Sequence, residues 1–234
     1  MFKGDKNITN RLAAAAGFVR RGSRVCDVGT DHAYLPIFLC KAGIADRALA
    51  TDINRGPCER AAENVRLHKC SDKIEVRQAD GLDLAADFDP TDIIVCGMGG
   101  ELIRDIILRS QLTRNSNVRL ILQPMTKATA LRKALYANGF TIVGEALAKD
   151  DRIYQVICAE YTGQKAAISD TEALLGPVNI KERSELFYEF VDFNIAVGER
   201  VVKEKRLHNI PCEKEEAVLC ELKRIGRDKT EEAL

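Results

Sequence analysis

The run Asp27-Val28-Gly29-Thr30-Asp31-His32-Ala33-Tyr34-Leu35-Pro36 constrains this chain more than any other stretch. It follows an apolar, β-prone segment ending at Val25-Cys26 and opens into a helical pattern. A strand that turns on Asp-x-Gly into a helix is the nucleotide-binding corner of a Rossmann-type sheet. Gly29 suits that corner because a residue without a Cβ lets the backbone approach a ligand closely. The loop is nevertheless a poor dinucleotide fingerprint. Asp31 stands where the second glycine belongs and the third is missing, so the corner fits a cationic cofactor better than a pyrophosphate.

Hydrophobic period extends the corner into an α/β sheet. Residues 24–27, 48–51, 74–78, 92–96 and 118–122 read as strands, with helical patterns at 34–41, 57–68, 101–108 and 129–138 between and after them. A further helix is expected over 8–19, capped by Thr9 or Asn10. Residues 140–147 and 153–161 are both strand-like. The gap of 148–152 is too short for a crossover, so they form an antiparallel hairpin. Parallel βα units closed by a hairpin give the Rossmann-like layout of a class I methyltransferase; a dinucleotide dehydrogenase would continue with parallel units.

Beyond Thr162 the character changes. Residues 165–175 and 181–205 are helical and rich in i,i+4 charge pairs, and Pro211 interrupts before 213–225. Two domains are expected: 1–162, the cofactor-binding sheet, and 163–234, a small helical hairpin with a coiled-coil-like seam.

No apolar run reaches the roughly 18 residues of a membrane span, and no signal-peptide core is seen at the N-terminus. A cytoplasmic protein is expected, with no membrane partner and no need for a dimer. The eight cysteines lack CxxC or Cys/His metal spacing and read as reduced thiols without a metal. Thirty-five Lys and Arg balance thirty-five Asp and Glu. The first 24 residues are basic, with Lys3, Lys6, Arg11, Arg20, Arg21 and Arg24 against Asp5 alone. That edge suits a polyanion, or is a solvated helix face.

Carboxylates punctuate three successive strand ends. Asp27 can position a ligand ammonium, Asp52, followed by Ile53, can accept from both ribose hydroxyls, and Asp80 can accept from an adenine amine lined by Gly81 and Leu82. Each also reads as a loop cap or turn residue. Their recurrence at consecutive strand ends favours one adenosyl ligand, S-adenosyl-L-methionine.

The loop after the fourth strand faces the methyl acceptor in this layout. Here it is Cys96-Gly97-Met98-Gly99-Gly100, without the Asn/Asp-Pro-Pro-aromatic clamp that exocyclic amines need. Cytosine C5 chemistry needs a thiolate in a Pro-Cys or Thr-Cys context near the site. Pro57-Cys58 and Pro211-Cys212 lie in other elements, and no strand-end lysine suggests ribose methylation. A ring nitrogen with an in-plane lone pair remains, needing only positioning and stabilisation of the charge it acquires. Asp31 is the candidate for that stabilisation, with His32 and Tyr34 to orient or stack the base. Asp31 as a helix N-cap, and Tyr34 as core, are the structural alternatives. Gln123-Pro124 is placed to contact the base edge or to end its strand.

The ten-residue loop, with Gly97-Met98-Gly99-Gly100 and Leu122-Gln123-Pro124, closely resembles the bacterial TrmK family of tRNA (adenine-22-N1)-methyltransferases. The resemblance covers essentially the whole chain and implies a Rossmann-like domain followed by a coiled-coil domain. It implies cofactor contacts at Arg11, Asp27, Gly29, His32, Tyr34, Asp52, Asp80 and Gly97, Met98 and Gly99, with Asp31 near the reacting base. It also implies a tRNA substrate, for which contacts are expected from the basic edge (Arg20 and Arg21 included) and from the helical appendage, whose net-acidic helices also read as a solvated stabilising hairpin. Met125 stands where family members often carry asparagine. Competing readings are a small-molecule or protein methyltransferase, a non-catalytic RNA-binding protein, and a nucleotide-dependent oxidoreductase.

Overall fold

The computed structural model of the chain describes residues 8–232, so Lys3, Asp5 and Lys6 of the basic segment lie outside the described residues. Two compact units are present, the first ending at Ala167 and the second beginning at Ile168.

The first unit runs α1 (Asn10–Ala16), β1 (Ser23–Val28), α2 (Tyr34–Lys41), β2 (Ala45–Asp52), α3 (Arg55–Leu67), β3 (Ile74–Gln78), β4 (Asp92–Gly99), α4 (Gly100–Arg109), β5 (Arg119–Thr126), α5 (Ala128–Ala137), β6 (Phe140–Lys149) and β7 (Ile153–Tyr161). The sheet order is β3-β2-β1-β4-β5-β7-β6. All neighbours are parallel except β7, which is antiparallel to both β5 and β6. Val25, Ala48, Ile94 and Ile121 have no exposed surface. Such continuous apolar runs mark strands covered on both faces. Strand order reverses between β1 and β4, and a sheet of this kind opens its ligand crevice at that reversal, beyond the carboxyl ends of the strands.

Two sequence expectations fail for tertiary reasons. α1 is short, and neither Thr9 nor Asn10 caps it with its side chain. Asp150, in the β6–β7 turn, accepts the backbone N–H groups of Asn10 and Arg11 at 3.0 and 3.2 Å. A carboxylate there satisfies orphan donors and meets the positive end of the helix. β5 also continues through Gln123-Pro124 to Thr126. Pro124 falls opposite Met98, where the β4–β5 register shifts, so its missing N–H costs no ladder bond.

Arg20, Arg21 and Arg24 do not line the cofactor corner. Arg20 donates from Nε to Asp92 at 2.8 Å and from its backbone N–H to the other carboxylate oxygen at 2.8 Å. Asp92 opens β4 and its side chain is fully buried. Arg24 pairs with Asp89 at 2.6 Å, and Gly22 donates to the Ile44 carbonyl just before β2, which carries Arg21 to the same edge. That is the amino edge of the parallel strands, about 16 Å from Gly29 at roughly 3.3 Å per residue. Of the basic N-terminal residues described, only Arg11 reaches the carboxyl edge.

The second unit holds α6 (Asp170–Leu175), α7 (Pro177–Glu182), α8 (Phe187–Leu207) and α9 (Glu213–Glu232). The single helix expected over 181–205 is broken, because Arg183 turns left-handed at φ 45°. Ion pairs Arg206–Glu216 (2.9 Å) and Glu199–Lys223 (2.6 Å) run in opposite chain directions, so α8 and α9 form an antiparallel hairpin. Gly198 packs under Leu219 and Gly226 under Ile195, letting the backbones approach.

Removing Arg20 strands a buried carboxylate. Arg20→Ala is therefore expected to lower unfolding free energy by about 3 kcal/mol or more, measured by urea denaturation. A loss within about 0.5 kcal/mol, the size of an ordinary surface change, would refute the structural assignment.

Candidate active site

β1 delivers Asp27 to the carboxyl edge, and the chain turns at Gly29 with φ +79°. The N–H groups of Gly29 and Thr30 both donate to the Thr51 carbonyl of β2, at 2.7 and 2.9 Å, which ties the loop to the sheet. Thr30 Oγ1 accepts from the N–H of Ala33, the left-handed residue that opens α2. Thr30, not Asp31, therefore serves this turn. A Cβ on Gly29 would lie 1.9 Å from Met98 Cε, so the close approach that glycine allows here is made by the methionine of the facing loop.

Asp27 is 7% exposed and hydrogen-bonds to Thr30. Among the described residues no cationic side chain pairs with it. Burial pushes its carboxyl up to about 6, opposed by the Thr30 bond. Such a group is a receptor for a cation. It opens on a cleft at the strand reversal, walled also by Arg11, Gly29, Asp31, His32, Tyr34, Cys96 and Gly97.

The remaining acids continue the line of that cleft without walling it. Asp52 ends β2, and its Oδ1 accepts the Asn54 N–H at 2.7 Å, while Ile53 points outward. Asp80 follows β3 and is held by Arg109 of α4, with Nη1 to Oδ2 at 3.0 Å. That guanidinium keeps the Asp80 carboxyl below the usual range. Gly81, at φ +60°, lies beneath Ile106 and Arg109, and Leu82 is buried.

Asp31 is exposed and already partnered. Arg60 of α3 donates to its Oδ1, and His32 Nε2 lies 3.3 Å from Oδ2. The Arg60 bond lowers the Asp31 carboxyl, keeping it ionised near neutral pH. Asn64, one turn along α3, donates to the His32 carbonyl at 3.0 Å. The His32 and Tyr34 rings stack at 5.0 Å and 16°, a flat surface beside the carboxylate. Sequence reading missed Arg60 and Asn64 because nothing in α3 marks a helix that grips a loop 29 to 32 residues earlier.

Gln123 is placed differently from its expectation. Its side chain is buried, with no exposed surface. Oε1 accepts from Arg11 Nη1 at 2.9 Å and from the Gly97 N–H at 3.2 Å, while Nε2 donates to the Pro124 carbonyl. The amide is thus committed to joining α1, the Gly97 loop and β5. It does not face a base edge, and Pro124 is buried too. Burial, with Asp27 beside it, pushes the Cys96 thiol up, which removes the nearest thiolate nucleophile. Among the described residues there is no cluster of His, Cys, Asp or Glu arranged to hold a metal, and no helix is long and apolar enough to cross a membrane.

Residues 8–157 match a family described as a methyltransferase domain. The chain is 32% identical over 185 residues to the tRNA (adenine(22)-N(1))-methyltransferase of Bacillus subtilis strain 168, covering 77% of this chain and 78% of that protein. A putative tRNA (m1A22) methyltransferase of Streptococcus pneumoniae, solved in complex with S-adenosyl-L-methionine, superposes with TM-score 0.80 at 32% identity, covering 94% of this chain and 99% of that one. The structure of B. subtilis TrmK superposes with TM-score 0.79 at 27% identity, over 95% of this chain and 97% of that one. By sequence, by sheet order and by the loop at the strand reversal, this chain belongs to the tRNA (adenine(22)-N(1))-methyltransferase family.

Proposed function

We propose that the chain transfers the methyl group of S-adenosyl-L-methionine to N1 of adenine 22 in tRNA, in the cytoplasm and as a monomer. The observation that carries this reading is the buried Asp27 carboxylate at the strand reversal, unpaired with any cation among the described residues, in a chain of this family. Residues 1–162 are assigned to catalysis, with 163–234 as the coiled-coil domain.

The site fits the cofactor on its own chemistry. Asp27 offers a desolvated carboxylate to an ammonium group, and Gly29 and Gly97, both at positive φ, bring backbone to the cleft without side chains. Asp52 and Asp80 present acceptors at the next two strand ends for ribose hydroxyls and an adenine amine. S-adenosyl-L-methionine supplies an electrophilic methyl on a sulfonium.

Adenine N1 lies on the Watson–Crick edge, so the base must be unpaired or turned out before it can enter. Its lone pair lies in the ring plane and carries no proton, so no general base precedes attack. The His32–Tyr34 stack orients the ring. Asp31 faces the positive charge that the ring acquires, and Arg60 gives way to it. Both members of the Asp31–Arg60 pair are half-exposed, so exchanging one cation for another costs little.

The first test is incubation with labelled S-adenosyl-L-methionine and unmodified tRNA, followed by digestion to nucleosides. Label in 1-methyladenosine is expected; label on a ribose 2′-oxygen, or none on RNA, rejects the proposal. Asp31→Ala should reduce the transfer rate more than about tenfold while cofactor affinity stays within a few-fold, as read by single-turnover kinetics. A near-normal rate removes Asp31 from the mechanism.

The raised Asp27 carboxyl predicts the sign of a pH effect. Protonation competes with an ammonium for Asp27, so cofactor affinity should hold above about pH 6. It should weaken below, approaching about tenfold per pH unit. Asp27→Asn should bind weakly and flatten the profile in calorimetric titrations from pH 5 to 8. An unchanged slope in that variant would exclude Asp27 as the ammonium site.

A further inference from the structure

Among the described residues, ten arginines of the first unit have a carboxylate within 4 Å. Two that do not converge on one ring at the carboxyl edge. Arg11 and Arg152 lie 5.7 and 4.8 Å from the centroid of Tyr154. Arg11 walls the cleft, and Arg152 donates from Nη2 to the Met125 carbonyl at 2.9 Å, which fixes it over the end of β5. Two residues on, exposed Lys127 is left-handed at φ 59° and ψ 30°. Its carbonyl is pressed against the start of α4, where a methyl on Gly100 would meet it at 2.6 Å. A non-glycine residue held in that conformation by its surroundings stores strain of the kind that collects at functional positions.

These cations complete a charge gradient along the carboxyl edge. Asp80, Asp52, Asp27 and Asp31 follow β3, β2 and β1, the Gly97 loop follows β4, and Lys127 and Arg152 lie beyond β5 and before β7. Two acids share the hairpin turn with Arg152; Asp151 feels its charge, but neither forms an ion pair with it. Asp150 is committed to the N-terminus of α1, and Asp151 accepts the Tyr154 hydroxyl at 2.9 Å. One end of the cleft thus suits a cofactor's hydroxyls and amines, and the other suits an anion.

We propose that Lys127 and Arg152 form the landing face for the RNA backbone, taking phosphates that flank the target base so that the base enters from the β5–β7 side. This inference rests on the RNA-methylating reading above. It also replaces the basic N-terminal edge as the phosphate site, since the fold places Arg20 and Arg21 at the opposite edge.

The test compares the full-length variants Lys127→Glu, Arg152→Glu and, as a control of equal charge change, Arg21→Glu. At either proposed position the KM for tRNA should rise about tenfold, and the slope of log affinity against log salt should shrink by about one. S-adenosylhomocysteine affinity and kcat at saturating tRNA should stay within about twofold. Arg21→Glu should leave both KM and slope at wild-type values. The Lys127 variant stands independently should Arg152→Glu disturb the hairpin, which a fall in thermal midpoint would reveal. Wild-type KM and slope for Lys127→Glu, or an equal loss in all three variants, overturns the landing face alone. Failure of the wild-type protein to methylate tRNA overturns the functional reading and this inference with it.

Discussion

A buried carboxylate that no cationic side chain among the described residues pairs with is the constraint around which this sheet is arranged. Raising Asp27 from 3.8 to about 6 corresponds to roughly 3 kcal/mol of unfavourable charge burial. A protein of ordinary stability, near 5–15 kcal/mol, can carry that only where the rest of the fold is well satisfied. The surroundings meet the condition. Cys26 and Val28 on either side are buried, Thr30 donates to the carboxylate, and the loop beyond is tied to Thr51. A cationic ligand paired with Asp27 would offset that burial, so the cost contributes to binding.

The opposite wall is held by a relay of ordinary hydrogen bonds. Asp150 fixes the N-terminus of α1, α1 presents Arg11, and Arg11 shares Gln123 Oε1 with the Gly97 N–H. One buried amide therefore joins three segments that are distant in sequence. The antiparallel hairpin contributes more than closure of the sheet, because its turn supplies the acid that caps the first helix.

Much of this was legible in the sequence wherever local patterning decides the outcome. The second helix, Tyr34–Lys41, and the third strand, Ile74–Gln78, fall where period and punctuation put them. The β1 corner was readable because its Asp-x-Gly geometry is local. Contacts that span the chain were not. Asp150 caps a helix 140 residues away, and no pattern in either segment announces it. Arg20 resembled bait for phosphate because sequence shows charge and not partners; Asp92, 72 residues on, settles its role. Gln123 was expected at the end of its strand, facing a base edge or ending the strand, whereas β5 runs on through it and its amide is buried against Arg11 of α1. The break at Arg183 was hidden in a continuous run of helix-forming residues.

The glycines after β4 connect that packing to the choice of acceptor atom. Gly97 requires φ +80°, and Gly100 has the Lys127 carbonyl where a Cβ would go. Close backbone packing excludes a side chain at Gly100, and Gly97 holds a φ that a proline cannot adopt, so a proline-aromatic clamp does not fit this backbone. Without the clamp an exocyclic amine keeps its lone pair delocalised and reacts poorly. A ring nitrogen loses nothing, because its lone pair already points outward in the plane. Packing at Gly100 also holds Lys127 at the rim, so one steric constraint bears both on which atom can be methylated and on where the polyanion carrying it can rest.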